Sequence, residues 1–138
     1  MIEKEFAPYE EALAIKELGF NEPCIAWFAE TKKLQIAPET YKNWTSKPCD
    51  NSNIAKVFNN DCFTAPTYSQ AFRWIREKYN FLHHINWVYK KTEGIQWFFD
   101  IKGINMTNNN ILPHSETRFA THEEAELACL KKLIQLAK

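Results

Sequence analysis

Four histidines, four cysteines and scattered carboxylates are the side chains of this 138-residue chain with the types that could do chemistry, and their spacing decides which chemistry. His83 and His84 are adjacent in a stretch patterned as a strand, so their rings point to opposite faces and cannot jointly hold one ion. No cysteine lies at ligand spacing from these two, from His114 or from His122, and the pattern predicts no metal site. Cys24, Cys49, Cys62 and Cys129 never form a CxxC pair. Nucleophilic thiol chemistry needs the sulfur within reach of a base in a cleft. Neither Cys49, beside Asp50, nor Cys62, before Phe63, carries a surrounding signature, and Cys24 and Cys129 sit in apolar contexts that read as core. Asp61, Asp100 and Glu116 could converge, as such triples can in any fold, but nothing in their spacing demands acid–base or Mg²⁺ chemistry. Gly19, Gly94 and Gly103 each fit a turn, which leaves no glycine-rich phosphate loop. The expectation is a protein that is not an enzyme and uses no cofactor.

Binding chemistry is better represented. Arg73, Trp74, Arg76 and Lys78 fall together on one predicted helix, where an indole flanked by cations can stack on bases, grip phosphates or meet an acidic protein surface. Arginine and tryptophan are also enriched among residues that dominate protein interfaces. The competing interpretation is a solvated helix face with Trp74 covering a sheet edge. Trp44, in a long polar stretch, and Phe98, apolar on the wetter face of a strand, complete the candidate partner-binding set.

Composition bounds the partners. Lys plus Arg and Asp plus Glu are 17 each, for zero formal net charge. Phosphate-backbone affinity grows with the number of basic groups that meet it, so this balance argues against a general nucleic-acid coat protein while leaving room for a local patch. Weak colloidal repulsion also makes self-association plausible. Hydrophobic residues are 45% and charged residues 25% of the chain, which places it among globular proteins, and its length suits one domain over residues 1–138. With no apolar leader and no long apolar run, the sequence predicts a cytoplasmic protein that does not enter a membrane and keeps its thiols free.

The elements that must position these residues can be read from periodicity and caps. Residues 8–18 form a first helix, with Glu10 and Glu11 at its positive end and Gly19 closing it. Residues 24–29 read as a buried strand, with 34–36 as a hairpin partner. Residues 38–66 are the least patterned segment, which predicts either a functional loop or one anchored by Tyr41, Trp44, Val57, Phe58 and Phe63, with a short helical turn over 54–58. Thr67 with Gln70 opens a helix over 68–79, and Asn80 suits its exit. Residues 82–89 and 95–102 form a hairpin joined through 90–94. Ile95, Trp97, Phe99 and Ile101 share one face, as do Ile85, Trp87 and Tyr89 on the partner, so one dry face should pack against helices and the aromatics Trp87, Trp97 and Phe99 should form its core. Residues 103–113 read as loop and 115–119 as an edge strand. Thr121 with Glu124 opens the last helix, which runs to about residue 137. The predicted fold is α+β, a two-layer domain with three helices on a small antiparallel sheet.

Three stretches carry a resemblance: YEEALAIKELGFNEPC at 9–24, YSQAFRWIREKY at 68–79 and THEEAELACLKKLI at 121–134. They resemble a group of small uncharacterised proteins from Bacteroidetes genomes, prophages and phages, over well more than a third of the chain. The resemblance carries no catalytic residues. It implies an inhibitor that engages a bacterial nucleic-acid-directed defence protein or ribonucleoprotein. The alternative from the residues is direct binding of single-stranded RNA or DNA by the Arg73 cluster.

Overall fold

The computed structural model describes residues 2–36, 50–52, 62–103 and 117–138. It is the mixed α+β fold expected, with its antiparallel strands, among the described residues, in two sheets of three and two strands rather than in one. The chain divides into two compact units, Met1–Ala71 and Phe72–Lys138.

In the first unit a short 3-10 turn, Ile2–Glu5, leads to helix α1, Tyr9–Glu17. Pro8 holds the N-cap position with extended backbone (φ −60°), so its missing N–H forfeits nothing. The exit follows from Gly19, whose φ of 100° only glycine adopts freely. Gly19 N–H then donates to the Lys16 carbonyl at 2.9 Å and Phe20 N–H to the Ile15 carbonyl at 3.1 Å, the two bonds of a Schellman motif, while Phe20 and Ile15 are both buried. Strand β1, Ala26–Phe28, is shorter than its apolar run and is flanked by β2, Leu34–Ile36, and β3, Phe63–Thr64. Strand β3 lies where the sequence shows only loop; two residues have no periodicity, and the pairing partner is far along the chain. The core here joins Phe6, Ala12, Ala26, Phe28, Phe63 and Ala65. Tyr9, Phe28 and Phe63 meet ring to ring, with centroids 5.2 to 5.7 Å apart. Asn51 ties the unit together by donating to the Phe20 carbonyl and accepting from Thr64 N–H, both at 2.8 Å. The proposed helical turn at 54–58 and the anchors Tyr41, Trp44, Val57 and Phe58 lie outside the described residues.

Helix α2, Tyr68–Tyr79, has the bounds and the cap expected of it. Gln70 N–H donates to Thr67 Oγ1 and Thr67 N–H to Gln70 Oε1, each at 3.2 Å. Asn80, at φ 58°, ends it.

The second unit is built on the hairpin of β4, Phe81–Lys90, and β5, Gly94–Gly103, each longer than its pattern by one residue at either end. The register sets Ile85 opposite Phe99, Trp87 opposite Trp97 and Tyr89 opposite Ile95. Glu93 N–H closes the turn onto the Lys90 carbonyl at 3.1 Å, with Gly94 at φ 74°. Residue Phe119, inside the predicted edge strand, forms a single bridge to Trp97. Helix α3, His122–Ala137, packs on β5 and β4 with Ala125, Cys129, Leu130, Leu133 and Ile134 buried. Thr121 Oγ1 accepts from Glu124 N–H at 3.2 Å, and Glu124 Oε2 accepts from Ala120 N–H at 3.2 Å. No helix of the described residues is long and apolar enough to cross a membrane.

Candidate functional site

Helix α2 leaves Arg73, Arg76 and Lys78 exposed, while Ala71, Phe72, Trp74 and Ile75 are buried. Arg73 and Arg76, three residues apart, share one exposed face, whereas Lys78 lies well round the helix from both, on the side of Trp74. Trp74 is not part of the exposed face: only 9% of its surface is accessible, which corrects the expectation of an indole presented between arginines. The physical reason is the width of the apolar stripe. Position 74 lies three residues after Ala71 and one before Ile75, at the margin of a stripe broader than 100°. Lys78 Nζ sits 4.8 Å from the Trp74 ring centroid and 5.4 Å from that of Tyr79, so this ammonium caps rings of its own helix. Phe98 is half-buried, and the Arg118 guanidinium lies 4.2 Å from its ring centroid, which covers part of the apolar surface the sequence assigned to a partner. Trp44 lies outside the described residues.

At the Phe81 end of the hairpin an open cleft of about 380 Å³ is lined by Leu82, His83, His84, Asp100 and Lys102. His84 and Asp100 face each other in register, and Asn86 Nδ2 donates to Asp100 Oδ2 at 3.1 Å. The His83 ring stacks on Phe72, centroids 3.8 Å apart at 14°. Burial, with the Arg76 and His84 charges adding to it, lowers the His83 pKa to about 4, so the imidazole is neutral near pH 7. Among the described residues no serine, threonine or cysteine lines this cleft. Two thiols elsewhere are poor nucleophiles: burial first, then Glu126 and Asp100, pushes Cys129 up to about 12, and burial does the same to Cys24. Among the described residues no three His, Cys, Asp or Glu side chains are grouped to hold a metal ion. His114, Cys49, Asp61 and Glu116 fall outside those residues.

Sequence reasoning missed the most exposed apolar surface of the second unit. Trp87, Tyr89 and Ile95, expected in or beside the hairpin core, are 61%, 63% and 53% exposed. The cause is a mismatch of lengths. The ten-residue strands run ~33 Å, whereas the sixteen-residue α3 spans ~24 Å. A helix of that length cannot cover the whole hairpin, and the three exposed residues lie towards its turn while the buried Phe99 and Ile101 lie towards its other end. A signal was present in the ratio of strand to helix length, although not in the alternation of residues.

Comparison with protein-family models, with curated proteins and with solved structures found no match to this chain.

Proposed function

We propose that the chain is a non-enzymatic binding protein that engages a bacterial protein or ribonucleoprotein, acting as the phage- or prophage-type inhibitor of nucleic-acid-directed defence that its resemblance implies. The observation that carries this reading is the outward side of α2, where Arg73 and Arg76 stand exposed about one turn apart on a capped helix. A preorganised guanidinium pair meets carboxylates or phosphates with little ordering penalty. Direct nucleic-acid binding is the weaker reading on magnitude. Two guanidiniums contacting a single strand give a log K against log salt slope of only about −1.4, and no exposed α2 aromatic accompanies them to stack on bases.

The test is capture of partners from bacterial lysate, with and without nuclease, by wild type and by the Arg73→Glu, Arg76→Glu double variant. A partner that survives nuclease and is lost by the variant is the expected result. Binding of purified wild type to naked RNA or DNA, lost on the same substitutions, would replace this reading with the nucleic-acid one.

A further inference from the structure

Among the described residues the second edge of β4 is open, for the strand pairs with β5 alone and its outward backbone groups have no hydrogen-bond partner. Which groups those are follows from the other side of the hairpin. Trp97 N–H donates to the Phe119 carbonyl at 2.9 Å and Phe119 N–H to the Trp97 carbonyl at 2.8 Å, so the peptide groups of Trp97 point away from β4. In an antiparallel ladder both members of such a pair point outward. Trp87, its register partner, must therefore aim its N–H and C=O at the open edge, and by alternation so must Ile85 and Tyr89.

This edge lacks the devices that keep strand edges apart. From Phe81 to Tyr89 it has no proline, lysine or acidic residue, and it pairs with β5 without a bulge. Its outward-bonding residues are also the exposed apolar ones, Trp87 and Tyr89.

We infer that β4 is a homodimerisation edge, taking β4 of a second copy in antiparallel, two-fold pairing. Two requirements are met by the same set of registers, those that place odd-numbered residues opposite odd-numbered ones. Keeping the packed face of both hairpins on one side places odd-numbered residues opposite odd-numbered residues. The outward N–H and C=O groups likewise belong to the odd-numbered residues. With Trp87 at the two-fold axis, Tyr89 of each copy lies opposite Ile85 of the other, and six backbone hydrogen bonds from that set join the two hairpins into one four-stranded sheet. Lys90 falls opposite His84, so no two lysines or carboxylates confront each other, and the zero formal net charge leaves little long-range repulsion to oppose association. A peptide of another protein could satisfy the backbone groups, but a second copy also brings the matching apolar residues at the matching spacing. The inference does not depend on the α2 face.

Sedimentation of the full chain across a roughly hundred-fold concentration range should show a monomer–dimer equilibrium. Tyr89→Pro removes an outward donor and no β4–β5 ladder bond, and it should weaken the dimer at least ten-fold, on the order seen when one central interface contact is lost. Trp87→Lys leaves every backbone donor in place, sets two charges together at the axis and should weaken the dimer equally. It serves as the readout if the proline variant does not fold. The Arg73→Glu, Arg76→Glu variant should dimerise as wild type does, which separates this result from the partner-binding one. Wild type that stays monomeric throughout, or a dimer indifferent to Trp87→Lys, would overturn the inference; a monomer whose β4 edge instead takes an extended peptide would reassign it.

Discussion

His83 and Trp87 are four residues apart on β4, and their environments invert what their residue types suggest. His83 is a polar residue stacked against Phe72 and partly buried, and Trp87 is an apolar one left mostly in water. The histidine has a consequence for pH dependence. Its folded pKa, lowered to about 4, lies below the ordinary value of 6.5, so between these values the unfolded chain binds a proton that the folded chain does not. Stability from this group is therefore fully present above about pH 6.5 and falls as pH drops towards 4. Chemical denaturation at a series of pH values should show this decline in wild type and a flatter profile in His83→Gln. An NMR titration in which His83 changes charge near pH 6.5 would refute the account. The fates of Trp74 and Trp87 show why a site is harder to read than a fold. Both lie on helical or strand patterns that were legible, but whether a tryptophan at the margin of a stripe is covered depends on which neighbour reaches it. Lys78 and Tyr79 close over Trp74, and nothing described closes over Trp87.

Elements whose ends are fixed by local chemistry were legible. Helix α2 begins after Thr67 and ends at Asn80 because a hydroxyl, an amide and a left-handed residue act within a few positions of the helix they bound. The same holds for α3, and it gives a direct prediction. Thr121→Ala removes the acceptor for Glu124 N–H and should destabilise the protein by about 0.5–2 kcal/mol, while Thr121→Ser should recover most of that. Thermal or urea denaturation of the two variants checks it, and equal destabilisation by alanine and serine would show that the hydroxyl is not the cause. Strand β3 was illegible for the opposite reason: Phe63 and Thr64 are strand only because Trp27 and Phe28 lie beside them. Likewise the split of the strands into two sheets depends on pairings between distant segments. Alternation predicts which residues share a face, not which strands share a sheet.

At the scale of the whole chain, the boundary between the compact units falls at Ala71 and Phe72, inside α2. The first turn of this helix is tied into the Met1–Ala71 unit, where Gln70 Nε2 donates to the Pro23 carbonyl at 3.0 Å. Its later turns belong to the Phe72–Lys138 unit, where Phe72 stacks on His83. Helix formation is cooperative, because each bond depends on dihedral angles its neighbours have already fixed. Damage to the exposed second half of α2 should therefore reach both units. Glu77→Pro removes the N–H that bonds the Arg73 carbonyl and sets a ring against it, at a cost of about 3 kcal/mol or more. Hydrogen exchange read by mass spectrometry should then quicken in α1, around Ile15, as well as in α3, around Leu133. Composition could not have predicted this coupling, since 138 residues suit one domain and the division appears only once α2 is seen to serve two units. Faster exchange confined to α3 and the hairpin would mean that the Thr67 cap holds the first turn of α2 by itself, and that the two units open independently.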